Sequence, residues 1–299
     1  MKQILNKKGE NLPFVGLGTF PFQGQEMVNI VKSAVSIGYR IFDTADDYRG
    51  EPGIGEAVKE LVNDGICERE DVFLQTKISD NNAHSDDPLT GVYFNANHPF
   101  MHRHSVRDIV REKVDISLRS MNTNYLDSLL IHYPYPKYYV DIWKEMIELK
   151  KEGIVRYIGV SNFHIRHLKT IMAETGVFPE INEIYISPIC TKEDVVSYCI
   201  NNECIPMAYS PLMDVSKNRI QAKSLDSIMK TYNKSLAQTI LRWNIDRGCI
   251  PLPKSKNIMR LKENFDVFDF SITEVEINAI SGLNRDYQYL VESKICPGL

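Results

Sequence analysis

The chain has 299 residues, of which 43% are hydrophobic and 25% are charged, and its formal net charge is −4. These values are typical of a globular protein with one large domain or two small ones. The acidic balance argues against a nucleic-acid-binding surface, and charges interrupt every apolar run before it reaches the length of a membrane span. The N-terminal residues lack the apolar stretch of a secretory signal, so a cytoplasmic protein is predicted.

Along the chain, a predicted hairpin turn at Lys8-Gly9 precedes a regular alternation of apolar, β-branched runs with amphipathic segments. The runs predict strands near residues 14–17, 40–43, 72–77, 126–131, 155–160, 181–185, 204–209 and 249–252. The amphipathic segments predict helices near 25–37, 53–63, 105–121, 138–151, 164–174, 191–201, 235–247 and 257–266, with a further helix at "TEVEINAISGL". No linker or change of composition divides the chain. The alternation therefore predicts an α/β fold, a (β/α)8 TIM barrel, as a single domain over residues 1–299.

Two connections are long. Residues 78–104 follow the third predicted strand, and residues 212–223 follow the seventh. The first contains Tyr93 and Phe94 but too few apolar residues to build a core of its own, and it is predicted to act as a lid that shapes the substrate pocket. A solvated insertion without a role is the alternative. Three of its histidines, at 98, 102 and 104, have irregular spacing, and no metal site is predicted.

Polar side chains stand at the carboxyl ends of seven of the eight predicted strands, where the reactive centre of a (β/α)8 barrel lies. Unpaired buried polar groups cost several kcal/mol, so such a set favours a functional site over a structural role. In chain order the set comprises Asp43 with Tyr48 beyond it, Lys77, His132, Ser161 with Asn162, Glu183, Tyr209 with Ser210, and Lys254 with Ser255.

The first members of this set suit the reduction of a carbonyl group. Asp43 is predicted to pair with the Lys77 ammonium, and that ammonium is expected to lower the pKa of Tyr48. Tyr48 would then donate a proton, while His132 orients the carbonyl oxygen. No side chain donates hydride, so the chemistry implies a nicotinamide cofactor.

The sequence has no G-x-G-x-x-G motif after a strand, so the cofactor must be held in another way. The stretch "IPLPKSKNIMRLKEN" at 250–264 places Lys254, Ser255 and Arg260 around a helix predicted to begin near Asn257. A helix N-terminus with nearby cations binds phosphate. A solvated basic turn is the alternative interpretation of this stretch.

Seven stretches carry a resemblance to the aldo-keto reductases over nearly the whole chain: "GLGTF" (16–20), "GYRIFDTADDY" (38–48), "QTKI" (75–78), "LLIHYP" (129–134), "IGVSNF" (158–163), "AYSPL" (208–212) and "PLPKSKNIMRLKENFDVFDF" (251–270). The resemblance implies a (β/α)8 barrel with an N-terminal hairpin closing its bottom. A small carbonyl compound is the expected partner, and a monomer is expected, although the sequence leaves the oligomeric state open. The resemblance also implies a catalytic tetrad of Asp43, Tyr48, Lys77 and His132.

The same resemblance implies NADPH (NADP+) as cofactor. Ser161, Asn162 and Glu183 match nicotinamide carboxamide contacts, and Tyr209 matches the residue that stacks on the nicotinamide ring. Lys254, Ser255 and Arg260 match residues that bind the adenosine 2′-phosphate, and Glu263 and Asn264 match residues that contact adenine. Further cofactor contacts are expected from Thr19, Ser210 and Leu212. Substrate contacts are expected from Phe20, Tyr48, His132 and Tyr133.

Several positions depart from the family pattern. Glu183 replaces the usual glutamine, and a carboxylate cannot donate to the carboxamide oxygen unless it is protonated. Phe20 and Tyr133 stand where tryptophan is frequent.

Two other functions stay open at this point. Lys77 at a strand end suits a Schiff-base enzyme. The second alternative is a non-catalytic module that senses NADPH and regulates a partner.

Overall fold

The computed structural model describes residues 4–5, 7–79, 105–135 and 137–288. The predicted lid lies, from residue 80 to residue 104, outside the described residues, together with the histidines and aromatic residues that it contains.

Eight parallel strands form one sheet in which each strand pairs with the next along the chain. They are β1 (Leu17–Gly18), β2 (Ile41–Asp43), β3 (Phe73–Ile78), β4 (Leu126–Ile131), β5 (Val155–Ser161), β6 (Ile181–Tyr185), β7 (Ile205–Tyr209) and β8 (Ile250–Leu252). The first and last strands approach each other through hydrogen bonds from Gly16 N to Pro251 O (3.0 Å) and from Gly18 N to Pro253 O (3.2 Å). The sheet thereby closes into the predicted (β/α)8 barrel.

Eight helices lie within two residues of their predicted bounds. They are α1 (Gly24–Ile37), α2 (Glu51–Asn63), α3 (Val106–Ser120), α4 (Tyr139–Lys151), α5 (Ile165–Thr175), α6 (Glu193–Asn201), α9 (Leu236–Asp246) and α10 (Ile258–Phe265). The predicted extra helix is α11 (Glu274–Ser281). Two helices were not predicted, α7 (Met213–Ser216) and α8 (Asp226–Tyr232), because elements of 4 and 7 residues are too short to show a clear helical period. Within the described ranges, no helix is long and apolar enough to cross a membrane.

The first strand differs from its prediction. It was expected at residues 14–17, but only Leu17 and Gly18 pair with β2. The preceding residue, Gly16, donates its backbone N–H to Pro251 instead. A Cβ at position 16 would lie 2.6 Å from Leu252 Cδ2 and 3.1 Å from Ile41 Cβ, so the close approach that completes the barrel favours glycine there.

Side chains of the strands point alternately into the barrel and toward the helices. On β3, Phe73 belongs to the apolar cluster inside the barrel, and Leu74 belongs to the layer between strands and helices. The same alternation turns Gln75 and Lys77 inward, above Phe73. The interior is therefore apolar near the start of the strands and polar near their ends.

The N-terminal hairpin closes the bottom of the barrel, as predicted. Leu5 and Asn11 form an antiparallel bridge, and Leu12 N donates to Ile4 O at 3.0 Å. Ile4 and Leu12 are buried in the inner apolar cluster with residues of six strands. The hairpin thus covers apolar strand residues that water would otherwise reach.

Candidate active site

Lys77 lies between two carboxylates at the top of the barrel. Its Nζ is 2.6 Å from Asp43 Oδ1 and 3.2 Å from Glu183 Oε1, and it also donates to Thr44 O at 3.0 Å. All three ionisable side chains are buried. The predicted pair with Asp43 is present, and Glu183 adds a second carboxylate that was not expected to contact Lys77.

Gln75 connects the two carboxylates from below. Its Nε2 donates to Asp43 Oδ1 at 2.9 Å and to Glu183 Oε2 at 2.8 Å. Sequence reasoning missed this residue, although its position two residues before Lys77 on an alternating strand was the signal that places both on one face.

The charge states of this cluster follow from its burial. Burial raises the pKa of Glu183 well above its ordinary value, and Asp43 raises it further, against the opposing effect of Lys77. Burial alone would lower the pKa of Lys77, but Asp43 and Glu183 outweigh it and raise that pKa. Burial and Asp43 therefore favour the protonated form of Glu183, the form that has an O–H to donate, while Lys77 stays an ammonium.

Tyr48 and His132 face each other beside this cluster. The Tyr48 hydroxyl is 3.3 Å from His132 Nε2, and Lys77 Nζ is 5.4 Å from the centre of the Tyr48 ring. Burial raises the pKa of Tyr48 well above its ordinary value, and the nearby carboxyl groups of Asp43 and Glu183 raise it further. The expectation of a lowered pKa was wrong, because burial of the phenol dominates and the carboxyl groups of Asp43 and Glu183 add to the rise.

His132 is a neutral imidazole. Burial lowers its pKa well below the ordinary value, and the charges of Lys77 and Lys113 lower it further. Its Nδ1 lies 2.7 Å from Ser79 Oγ. Ser79 is a second residue that sequence reasoning missed, since nothing in the start of a long connection indicated a contact with the end of β4.

Both predicted substrate-contact aromatics lie next to the tetrad. The Phe20 ring is 4.9 Å from the Tyr48 ring between centres and is 54% exposed. Tyr133 stacks on His132 with ring centres 4.7 Å apart. The two rings flank the hydroxyl and imidazole that would meet a substrate.

The residues predicted to hold the nicotinamide are linked to one another near His132. Asn162 Nδ2 donates to His132 O at 3.0 Å, and Asn162 Oδ1 accepts from the Tyr209 hydroxyl at 2.9 Å. Ser161 Oγ donates to Glu183 O at 3.0 Å. These bonds bring the ends of β4, β5, β6 and β7 into one continuous polar surface.

Thr19, Ser210 and Leu212 lie at the same end of the barrel. The Thr19 hydroxyl donates to Asp43 O at 2.7 Å. Ser210 follows β7 directly with φ of 51°, and Leu212 immediately precedes α7.

The predicted phosphate site lies where β8 leads into α10. Lys254 and Arg260 are exposed. The Asn257 side chain accepts from the N–H groups of Met259 (2.9 Å) and Arg260 (3.2 Å), so these two N–H groups are not open to a phosphate as expected. Attraction for an anion at this place therefore rests mainly on the two cationic side chains. Further along α10, Glu263 is half-buried and Asn264 is buried.

The model of the Aldo/keto reductase family matches residues 15–285. The chain is 36% identical over 279 residues to the oxidoreductase YtbE of Bacillus subtilis and 34% identical over 279 residues to the methylglyoxal reductase DkgA of Escherichia coli O157:H7, in each case covering 93% of this chain and 91% of the relative. An aldo-keto reductase of Bombyx mori solved in complex with NADP superposes with a TM-score of 0.80 at 30% identity, covering 98% of this chain and 96% of that one.

Fold and relatives together define a (β/α)8-barrel oxidoreductase. More narrowly, the chain belongs to the aldo/keto reductase family.

Proposed function

We propose that this protein reduces the aldehyde or ketone group of a small molecule to an alcohol with NADPH. The observation that carries the proposal is the Tyr48 hydroxyl, which lies 3.3 Å from the neutral imidazole of His132. The buried Lys77 ammonium lies beneath the Tyr48 ring. A proton donor, a neutral hydrogen-bonding partner and a fixed cation at one rim are the groups that carbonyl reduction needs.

The residues present fit a dinucleotide phosphate. Lys254 and Arg260 supply two exposed cations beside the rim, and Arg260 can form a bidentate pair with a phosphate monoester. At the other end, the surface formed by Ser161, Asn162 and Tyr209 offers an amide, a hydroxyl and an aromatic face for the nicotinamide. When bound, NADPH supplies the hydride that the side chains cannot.

Tyr48 acts as the general acid in this proposal. Its raised pKa keeps the phenol protonated at neutral pH, so the proton is present on Tyr48 before the reaction begins. An alkoxide is a much stronger base than a phenolate, so transfer of the proton to the reduced oxygen stays favourable. The nearby Lys77 ammonium then stabilises the phenolate that remains.

Burial and double pairing of Lys77 weigh against the Schiff-base alternative. A Schiff base forms from a neutral, accessible amine. Lys77 is buried, and the two carboxylates raise its pKa.

The similarity to a methylglyoxal reductase supports a short dicarbonyl compound as the first substrate to try. The test is a panel of aldehydes, ketones and α-keto aldehydes, with oxidation of NADPH as the readout. Tight NADPH binding without turnover of any carbonyl would favour the sensing module instead. Trapping of a substrate on Lys77 by borohydride would favour the Schiff-base enzyme.

Tyr48→Phe is expected to lower turnover to below roughly one tenth of the wild-type rate while NADPH binding stays nearly unchanged, because it removes the proton donor only. The matched control is Tyr198→Phe on α6, which also removes one phenol but lies outside the barrel rim. Turnover of the Tyr48 variant above that threshold would show that another group supplies the proton.

A further inference from the structure

Asp47 places a carboxylate beside His132, in addition to the two carboxylates around Lys77. It belongs to the helical turn Asp46–Tyr48, and its Oδ1 lies 3.8 Å from His132 Nδ1. This Oδ1 is buried and, over the described part of the chain, has no hydrogen-bond partner at normal length. A buried carboxylate oxygen without a donor costs free energy, so a hydrogen bond from a neighbouring hydroxyl group would stabilise it.

The Ser79 hydroxyl contacts the same ring nitrogen of His132. Ser79 Oγ is 2.7 Å from His132 Nδ1, and the Ser79 backbone N–H donates to Asp46 Oδ1 at 3.1 Å, which fixes the residue in place. The hydroxyl also acts on Asp47, because hydrogen bonding from Ser79 lowers the pKa of that carboxyl. A serine hydroxyl has one proton, so it cannot donate to His132 and to Asp47 at once.

We propose that Asp47, acting through Ser79, is a positioning residue that decides which ring nitrogen of His132 carries the proton. When Asp47 is ionised, the Ser79 hydroxyl donates to it, and Ser79 Oγ accepts from Nδ1–H of His132. His132 Nε2 then carries a lone pair toward Tyr48. When Asp47 is neutral, its own O–H donates to Ser79, the hydroxyl donates to Nδ1, and Nε2 carries the proton.

This choice of tautomer matters for the reaction, and here the inference rests on the proposed function. With the proton on Nε2, His132 donates to the carbonyl oxygen and orients it for reduction. With a lone pair on Nε2, His132 accepts from Tyr48, which lies 3.3 Å away, and competes with the substrate oxygen for the phenol proton. Neutral Asp47 therefore favours carbonyl reduction.

The groups around Asp47 set the pH at which the change occurs. Burial raises its pKa to about 6 and Asp46 adds to the rise, while Ser79, Lys77 and Lys113 lower it. Tyr48 and His132 also face the carboxyl, and neither changes charge near that pH, since one has a strongly raised pKa and the other a strongly lowered one. Asp47 therefore passes from mainly neutral to mainly ionised as pH rises through about 6.

The decisive measurement is the ¹⁵N resonance pair of the His132 ring in the full-length protein labelled with [¹⁵N]histidine, assigned by comparison with His132→Asn. In the wild type we expect Nδ1 to be the protonated, pyrrole-type nitrogen at high pH, and Nε2 to take that role at low pH. Because His132 stays neutral, the exchange reports the tautomer and not ionisation. One unchanged tautomer on both sides of the Asp47 titration would overturn the proposal, and this titration needs no variant of Asp47.

Variants separate the route through Ser79 from a general electrostatic effect. Asp47→Ala is expected to hold the Nε2–H tautomer at all pH values and to remove the decline of kcat/KM for reduction as pH rises through the Asp47 pKa. Asp115→Ala, which removes an exposed carboxylate on α3, is expected to change neither. In a Ser79→Ala background the additional Asp47→Ala change should have little effect on the tautomer, and an equal effect in both backgrounds would contradict the role of Ser79.

The two proposals can fail separately. If no carbonyl is reduced but the His132 tautomer still changes with pH in the wild type and not in Asp47→Ala, the positioning role stands and the proposed function falls.

Discussion

At the residue scale, Glu183 shows how burial changes the chemistry of a side chain. A glutamine at this position has a neutral oxygen and an N–H donor. Glu183 approaches a similar state by a different route, since burial and Asp43 raise its pKa and favour its protonated form. It can then donate a hydrogen bond as an amide does, and it also approaches the Lys77 ammonium at 3.2 Å.

The raised pKa of Glu183 makes stability depend on pH. The pKa of Glu183 is higher in the folded protein than in the unfolded chain, so the folded state binds more protons between those two values. The free energy of unfolding should therefore decline as pH rises through this window. Glu183→Gln removes the titration, and we expect the variant to gain stability relative to the wild type as pH is raised from about 5 to about 8.

Urea unfolding at several pH values checks this prediction. Glu56→Gln, an exposed glutamate on α2, is the matched control and should leave the pH dependence unchanged. Parallel curves for the Glu183 variant and the wild type would mean that Glu183 is ionised in the folded protein.

At the scale of elements, the junction of β8 and α10 decides between the two nicotinamide cofactors in our proposal. Because Asn257 occupies two N–H groups of the first turn, the side chains carry the recognition of the phosphate. Arg260→Ala is expected to weaken NADPH by roughly 1.5–3 kcal/mol, the size of a charge-assisted hydrogen bond, and to leave NADH almost unaffected.

Titration of the intrinsic tryptophan or cofactor fluorescence with each cofactor measures this difference. Lys262→Ala on the same helix removes an equal charge and is the control; it should affect both cofactors slightly and alike. If Arg260→Ala weakens both cofactors equally, Arg260 does not bind the 2′-phosphate.

At the scale of the whole molecule, the residues that stabilise the barrel and the residues proposed to carry the reaction lie at opposite ends of its interior. Its lower interior is an apolar cluster closed by the hairpin, and its upper interior is the polar set around Lys77. Ile4 is 1% exposed within the lower cluster. Ile4→Ala is expected to lower the free energy of unfolding by about 2–5 kcal/mol, as other large-to-small core changes do.

The same variant should keep the KM for NADPH and for the carbonyl substrate, because the hairpin lies at the opposite end from the rim. Ile66→Ala is the control for the residue type: Ile66 is 56% exposed, and its loss should change stability by less than about 0.5 kcal/mol. A large change in KM for Ile4→Ala would show that the two ends of the barrel are coupled.

The sequence by itself was enough to predict the barrel and most of its rim. Alternating apolar runs and amphipathic segments depend on neighbours a few residues apart, so β4 and β6 were predicted at their observed bounds, Leu126–Ile131 and Ile181–Tyr185. Residues at strand ends then fall on one rim by the geometry of parallel strands alone. The pairing of Lys77 with Asp43 followed from the adjacency of β2 and β3.

Only the tertiary structure decided the charge states and the partners across the barrel. Gln75 donates to Glu183 across 108 positions of sequence, and Ser79 meets His132 across 53. Such contacts depend on the closure of the sheet, which brings strands that are not neighbours in the chain within a few ångströms inside one small interior. The direction of the Tyr48 pKa was wrong at the sequence level for the same reason. One cation was visible beside the tyrosine, but burial and a second carboxylate, which only the closed barrel supplies, outweigh it.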